Sequence, residues 1–65
     1  MNEIRDKRIN LQITQAVLAE LLHVDRSAIA KWETGKAMPR ADKMPMLAKI
    51  LNCSIDDLFK NDNAS

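Results

Sequence analysis

Apolar residues recur at helical spacing along most of the chain, and this pattern divides it into five helical segments. The predicted helices cover about residues 2–10, 15–22, 26–34 and 41–51, and a last short helix begins after Ser54. The sequence therefore predicts an all-α fold. The side chains expected to form its core are Ile4, Leu11, Leu18, Ala19, Leu22, Ala28, Ile29, Trp32, Met44, Leu47, Ala48, Leu51, Ile55, Leu58 and Phe59.

Residues that favour helix ends stand at the boundaries of these segments. Thr14 and Asp25 are suitable N-caps, whose side-chain oxygens can accept free N–H groups of the first turn. Gly35 and Asn52 suit the left-handed conformation that often follows a helix. Residues 54–57 (SIDD) match a capping box, in which the first and last side chains bond each other's backbone N–H groups.

Two further positions shape the connections. Pro45 is tolerable only within a first helical turn, so the fourth helix is expected to begin near Asp42 or to be distorted at its start. His23 and Val24 form the turn between the second and third helices, with Val24 returning to the core. As the only histidine, with no other ligand type at a suitable spacing, His23 is interpreted as a turn residue rather than a metal ligand.

The third helix has two contrasting sides. Ala28, Ile29 and Trp32 share one side when each residue is set about 100° from the last. The opposite side carries short or cationic side chains: Arg26 at its edge, Ser27, Ala30, Lys31 and Thr34. Such a face suits the DNA major groove, where Arg and Lys donate to guanine and Ser bonds several base edges. The alternative is an ordinary surface helix with a solvated charged face.

Arg8 is predicted to lie on the same face of the first helix as Ile4 and Leu11. An arginine that faces a core is costly unless it is paired with an opposite charge. Glu33 lies beside Ile29 on the third helix and is the natural partner. We therefore predict a partly buried Arg8–Glu33 ion pair; the alternative is that Arg8 extends to solvent and Glu33 is a surface charge.

Composition limits the chain to one small domain. It has 65 residues, 46% of them apolar and 29% charged, which is typical of a globular protein. Its one cysteine, Cys53, cannot form an intrachain disulfide and is expected to be a small buried residue. Neither a signal-peptide pattern nor an apolar run of transmembrane length occurs in the sequence.

Charge is unevenly distributed, although the net charge is only +1. Residues 26–49 contain six basic side chains against two acidic ones, a local charge of +4. Residues 54–65 contain one basic against three acidic, a local charge of −2. A local cationic surface is what a DNA-binding protein presents. Lys36 and Arg40, just beyond the third helix, could bind the sugar–phosphate backbone or could be solvated loop charges.

Gln15 begins the second helix, where free N–H groups and the helix dipole favour an anion such as a DNA phosphate. The alternative is an exposed polar residue without a ligand. Val17 and Leu21, on the same helix, are expected to be half-buried under the first helix. They could instead form a small apolar patch that binds a partner.

Three stretches of the sequence resemble the Cro-like (XRE-type) helix-turn-helix family, which includes the DNA-binding domains of lambdoid phage repressors. The matching stretches are residues 8–19 (RINLQITQAVLA), residues 24–36 (VDRSAIAKWETGK) with Pro39 beyond them, and residues 47–54 (LAKILNCS). The resemblance implies a compact five-helix fold of the lambda-repressor-like type over residues 1–60, followed by a polar tail at 61–65. One departure is His23, which stands where the family usually has glycine.

The resemblance also implies roles for individual residues. The expected base-reading residues are Arg26, Ser27, Ala30 and Lys31. The expected contacts to the DNA backbone are Thr14, Gln15, Thr34, Lys36 and Arg40. The Arg–Glu pair of phage members matches Arg8 and Glu33. The expected partners are double-stranded DNA and a second copy of the chain, with Asn52, Ile55 and Phe59 as the dimer surface.

The sequence thus predicts a DNA-binding transcriptional regulator, most simply a cytoplasmic repressor of bacterial or phage origin that binds a two-fold operator. No cofactor, metal, membrane or small-molecule ligand is expected. The alternative is a protein-interaction module, antitoxin-like or an adaptor, with Val17, Leu21 and Met46 as contacts. Enzymatic activity is not expected, because one His, one Cys and one Gly supply no catalytic triad, metal cluster or phosphate loop.

Overall fold

The computed structural model describes residues 3–58, which form five α-helices and one short 3-10 turn, with no β-strand among them. The helices are α1 (Glu3–Asn10), α2 (Gln15–Leu22), α3 (Arg26–Thr34), α4 (Met44–Ile50) and α5 (Ile55–Leu58). The all-α prediction is confirmed. Phe59 and the predicted polar tail lie outside the described residues. Within residues 3–58, no helix combines the length and apolar content needed to cross a membrane.

A single apolar cluster joins all five helices. Its fully buried centre is made by Leu18, Leu22, Ile29 and Leu47, and Trp32 packs beside them. Most predicted core residues are in this cluster, but Leu11 and Ile55 are 42% and 39% exposed. Leu11 follows the end of α1, where the chain turns away from the core. Ile55 opens a helix of four residues whose one buried position is taken by Leu58.

Each of the first four helices ends in the same hydrogen-bonded closure, the Schellman motif. In each case a residue with positive φ donates its N–H to the carbonyl three residues back, and the next residue donates to the carbonyl five back. The residues with positive φ are Gln12 (61°), His23 (59°), Gly35 (80°) and Asn52 (58°). The positive φ predicted for Gly35 and Asn52 is confirmed, whereas the residue type of Gln12 does not predict the closure found there.

In three of the four closures, the residue that follows the positive-φ residue returns the chain to the core. Ile13, Val24 and Cys53 pack against the apolar cluster, while the fourth, Lys36, is exposed. Val24 therefore lies where the sequence placed it. Cys53 is partly rather than fully buried, and this burial raises the pKa of its thiol above the ordinary value.

The chain enters α4 through a 3-10 turn at Ala41–Lys43, so the distorted start expected from Pro45 is present, and regular α-helix covers Met44–Ile50 of the predicted residues 41–51. Pro45 lies in the first turn of α4, as its missing N–H requires. Lys43 contributes a long-range contact, because its Nζ donates to the carbonyl of Leu22 at 3.0 Å. This bond ties the entry to α4 to the last residue of α2, just before the turn that leads to α3.

Two of the three predicted side-chain caps are present. The Thr14 hydroxyl accepts the N–H of Val17 at 3.0 Å. Ser54 and Asp57 bond each other's backbone N–H groups at 3.1 and 3.2 Å, as a capping box requires. Asp25 occupies the predicted N-cap position of α3 in an extended conformation, but the predicted capping bond is absent, since its carboxylate accepts no N–H of the first turn.

Candidate nucleic-acid interface

Helix α3 divides into a buried and an exposed side close to the predicted boundary. Ile29 is fully buried and Trp32 is 7% exposed, and both belong to the apolar cluster. Ala28 and Ala30 are half-buried at the two margins. The exposed residues of the helix are Arg26, Ser27, Lys31 and Thr34. Its outward side is therefore cationic and sterically open, while its inward side is fixed by packing.

The predicted ion pair between α1 and α3 is present in the structure. Arg8 Nε lies 2.6 Å from Glu33 Oε2, and Arg8 Nη2 lies 3.0 Å from Glu33 Oε1, so the pair is bidentate. The Glu33 side chain is 3% exposed and that of Arg8 is 12% exposed. A third bond, from Arg8 Nη1 to the carbonyl of Ile13 at 2.8 Å, fixes the loop between α1 and α2. Arg8 thus links three parts of the fold.

Gln15 connects this ion pair to the exposed side of α3. Its Nε2 donates to Glu33 Oε1 at 3.0 Å, and its Oε1 accepts from Arg26 Nη1 at 3.3 Å. Arg8, Glu33, Gln15 and Arg26 therefore form one hydrogen-bonded chain, which we call the polar cluster. Gln15 is half-buried and bonded at both ends rather than a solvated polar residue. Its amide is held in one orientation, with Arg26 at the outer end of the cluster.

The electrostatics of the polar cluster favour its ionised form. Burial alone would raise the pKa of Glu33, but the hydrogen bonds from Arg8 and Gln15, with the charge of Arg8, outweigh burial and leave that pKa below its ordinary value. The same bond to Glu33 outweighs burial at Arg8 and raises the pKa of its guanidinium. Both groups are charged at neutral pH, and within the described residues no buried side-chain N or O atom lacks a hydrogen-bond partner.

A concavity of about 460 Å³ opens beside the polar cluster, between the end of α1 and the first turns of α2 and α3. We call it the hollow. Its lining residues are Arg8, Ile9, Gln12, Ile13, Thr14, Gln15, Ala16 and Arg26. It contains Thr14 and Gln15, two of the predicted DNA-backbone contacts, and the predicted base-reading residue Arg26. Gln12 had not been identified, because its position between two apolar residues in a predicted loop gives no sign of where its side chain lies.

The remaining predicted backbone contacts surround the end of α3. The Thr34 hydroxyl lies 3.0 Å from the Ala30 carbonyl and donates back to its own helix. Lys36 is exposed in the following loop. Arg40 is also exposed, and its Nε lies 3.7 Å from Asp42 Oδ1. None of these three side chains belongs to the polar cluster. Their roles in DNA binding stay predictions.

The apolar residues considered as partner contacts are exposed. Val17 and Leu21 on α2 are 40% and 48% exposed, and Met46 on α4 is 51% exposed. The expected half-burial of Val17 and Leu21 under the first helix is wrong, because α1 packs mainly on α3 and α5. Of the predicted dimer residues, Asn52 and Ile55 are exposed and Phe59 lies outside the described residues.

The chemistry of this surface is that of an anion-binding face. Arg26, Lys31 and Lys36 supply cationic donors, and Ser27 adds a hydroxyl that can donate or accept. No group of three His, Cys, Asp or Glu side chains in residues 3–58 could hold a metal ion. The exposed side of α3 therefore presents hydrogen-bond donors and positive charge to solvent.

Comparison with known proteins gives this surface a family context. The helix-turn-helix family model matches residues 4–58. The chain is 39% identical over 59 residues to repressor protein C2 of Salmonella phage P22, covering 91% of this chain and 27% of that protein. It is 35% identical over 60 residues to the HTH-type transcriptional activator BcrR of Enterococcus faecalis, covering 92% and 29%. It is 37% identical over 51 residues to the regulator DicA of Escherichia coli K12, covering 78% and 38%.

The chain therefore spans between 27% and 38% of the length of these relatives. A solved structure matches along most of its length: the P22 c2 repressor in complex with the synthetic operator 9T. The TM-score is 0.83 at 38% sequence identity, and the match covers 88% of this chain and 86% of that one. The fold, the matched residues and the sequence identity agree, and the chain belongs to the XRE-type helix-turn-helix family.

Proposed function

We propose that this chain is a sequence-specific DNA-binding domain that regulates transcription, most simply as a repressor. The observation that carries the proposal is the outward side of α3: Arg26, Ser27 and Lys31 are exposed on a helix whose other side is locked into the core. The likeness to a repressor solved on operator DNA supports it. Regulators of both signs occur among the relatives, so repression rests on the simplest mechanism, occlusion of promoter DNA.

Base reading is assigned to four residues of α3. Arg26 and Lys31 can donate to the O6 and N7 of guanine, Ser27 can bond several base edges, and the Ala30 methyl can contact thymine. The hydrogen bond from Arg26 to Gln15 restricts the directions in which the guanidinium can point. A restricted donor loses less conformational entropy when it binds, and it discriminates better between bases.

Backbone contacts are assigned to both ends of the surface. Thr14 and Gln15 lie at the start of α2, where free N–H groups and the helix dipole attract a phosphate. Thr34, Lys36 and Arg40 lie at and beyond the end of α3. Contacts of this kind fix the register of a protein on the duplex and supply most of its salt-dependent affinity.

The proposal includes a homodimer on DNA. Two copies related by a two-fold axis would place their α3 helices in successive major grooves, roughly 34 Å apart. The exposed Asn52 and Ile55, with Phe59, are the residues we assign to the dimer surface. An operator of two inverted half-sites would follow from that symmetry.

The first test is selection of bound sequences from a random duplex library at about physiological salt. An enriched inverted repeat with half-sites about one helical turn apart is the expected result. Lys31→Ala should then weaken binding to the selected site by roughly 1–3 kcal/mol and relax the preference at one base pair. A promoter that carries the site should be silenced by the chain in a reporter assay. Weak binding without enrichment would overturn the proposal.

The alternative function, a protein-interaction module, draws on the exposed Val17, Leu21 and Met46. DNA binding needs the exposed side of α3, whereas the interaction module needs the exposed apolar residues of α2 and α4. Leu21→Ala should leave selection of the inverted repeat unchanged if the chain acts on DNA by itself. If Leu21→Ala abolishes regulation in the reporter assay and Lys31→Ala does not, the interaction module is favoured.

A further inference from the structure

Gln12 is an unusual residue for its backbone conformation. Its φ is 61°, in the left-handed region, where glycine is unstrained and Asn, Asp and His are several-fold enriched over other residue types. The other two non-glycine residues with positive φ in the described chain are His23 and Asn52, both of favoured types. Glutamine is not among the residue types favoured at positive φ, so the backbone at Gln12 is strained. Such strain is often found at functional positions, which directs attention to the Gln12 side chain.

The backbone around Gln12 is firmly held. Its N–H donates to the Ile9 carbonyl at 2.9 Å, and the N–H of Ile13 donates to the Arg8 carbonyl at 3.3 Å. Arg8 Nη1 in turn donates to the Ile13 carbonyl at 2.8 Å. The closure is thus connected directly to the polar cluster, and the base of the Gln12 side chain is fixed relative to Gln15 and Arg26.

Gln12 is exposed and lines the hollow together with Thr14, Gln15 and Arg26. The hollow has a cationic balance. Arg8 and Arg26 line it, and Glu33 pairs with Arg8, so the charge of Arg26 is left uncompensated within the polar cluster. A primary amide at this rim offers two N–H donors to an anion in the hollow.

We propose that Gln12 is a further DNA-backbone contact, whose side-chain amide donates to a phosphate oxygen beside the phosphate bound at Gln15. The inference rests on the proposed function and adds to it a residue outside both the second and third helices. The amide is neutral and releases no counterion of its own. It therefore adds affinity on every DNA sequence and leaves the salt dependence of binding unchanged.

The decisive variant is Gln12→Gly, which removes the amide and the strain together. Binding to the selected operator and to a random duplex is measured by fluorescence anisotropy over a series of salt concentrations. Both affinities should fall by roughly three- to tenfold, the contribution of one net hydrogen bond, with an unchanged slope against salt. The melting temperature should rise, because glycine adopts positive φ without strain. Damage to the fold cannot produce this combination.

His23→Gly is the matched control, since it relieves the same conformation at the end of α2 outside the hollow. It should raise the melting temperature and leave DNA affinity unchanged. Gln12→Lys supplies a gain of function: a cation at the same place should tighten binding to both duplexes. It should also increase the magnitude of the salt slope by about 1.

Each contrary result has a distinct meaning. If wild type binds the operator and Gln12→Gly binds it within twofold, the Gln12 contact is refuted while the proposed function stands. If Gln12→Gly weakens binding to the operator alone, Gln12 acts on base reading and the phosphate contact is refuted. An unchanged salt slope in Gln12→Lys also refutes it. If wild type shows no salt-dependent binding to any duplex, the proposed function and this inference fail together.

Discussion

The apolar core and the polar cluster lie side by side under α3, yet they hold the helix in different ways. Leu18, Leu22 and Ile29 are buried against one another through contacts that have no preferred direction. Arg8, Gln15 and Glu33 are joined by hydrogen bonds in which each atom has an assigned partner. The core fixes which side of α3 faces outward and how strongly the helix is attached, whereas the cluster fixes the position of Arg26.

This difference separates stability from function within one helix. A core side chain can be exchanged for another of similar volume at a cost usually below 1.5 kcal/mol. The cluster has no such tolerance, because a changed atom leaves a buried donor or acceptor without a partner. Gln15 accepts from Arg26 and donates to Glu33, so a disturbance at the buried end should reach the exposed end, where we propose that Arg26 reads bases.

The largest effect should come from the core, and α2 offers a matched pair of leucines for the test. Leu18 is fully buried and Leu21 is 48% exposed. Leu18→Ala should reduce the free energy of unfolding by about 2–5 kcal/mol, which in a domain of this size is most of its stability. Leu21→Ala should change it by less than about 0.5 kcal/mol. Urea denaturation followed by circular dichroism compares the two, and similar losses would contradict the burial of Leu18.

The next largest effect should come from Glu33→Gln. Loss of the carboxylate leaves the Arg8 guanidinium, only 12% exposed, without its charged partner. The free energy of unfolding should fall by about 2–4 kcal/mol, less than for a fully buried pair because Arg8 retains some access to water. Operator affinity should also fall under conditions where the variant is folded, since Gln15 loses its charged acceptor and Arg26 its support.

Glu33→Ala provides the second arm of this test. Unchanged melting temperatures in both Glu33→Gln and Glu33→Ala would refute the Arg8–Glu33 pair. A loss of stability with no loss of operator affinity would show that the cluster has no influence on the exposed side of α3, and the proposed functional difference between cluster and core would be refuted.

The sequence predicted most of what depends on periodicity. Ile29 and Trp32 belong to an apolar stripe at helical spacing. Such a stripe is buried when that side of the helix faces the core, so the sequence alone indicates which side of α3 is buried. The Arg8–Glu33 pair could also be anticipated, because a charge on a core-facing position needs an opposite charge nearby. Leu11 was misplaced because periodicity was extended past the end of α1 into the closure at Gln12.

The features that depend on three-dimensional placement were not predicted. The crossing of α2 and α3 determines which carboxylate oxygen of Glu33 accepts the hydrogen bond from Gln15. It also determines whether Arg26 can donate to the amide oxygen of Gln15. Asp25 is a favourable N-cap by residue type, but its conformation supplies no bond. The hollow is formed by residues from three helices and the connection between α1 and α2, so no single stretch of sequence reveals Gln12 as part of it.

A pH titration should distinguish the stability contributed by the polar cluster from that contributed by the apolar core. The folded-state pKa of Glu33 is lowered, so the cluster contributes its full stability above the ordinary carboxyl value of 4.5. That contribution is lost as the pH falls through the lower folded-state value. The stability difference between wild type and Glu33→Gln should be constant near pH 7 and should shrink below about pH 4.5. The penalty of Leu18→Ala, which involves no titrating group, should persist; a difference for Glu33→Gln that stays constant down to pH 2 would contradict the lowered pKa.

The smallest effects should come from ion pairs that belong to neither region. Asp42 and Glu3 each lie 3.7 Å from a basic nitrogen, on Arg40 and Lys7 respectively. The Arg40–Asp42 pair is exposed and the Glu3–Lys7 pair is a half-buried pair one turn apart on α1, so Asp42→Asn and Glu3→Gln should each change the free energy of unfolding by only about 0.5 kcal/mol or less. Only Asp42 lies beside a proposed backbone contact. Asp42→Asn should therefore tighten DNA binding by roughly twofold at low salt, with the gain fading as salt screens the charge.

Glu3→Gln is the control, because it makes the same change in net charge through an ion pair of the same length on α1. An equal gain from both substitutions would mean that Arg40 is not a local contact and that the DNA responds only to the total charge of the domain.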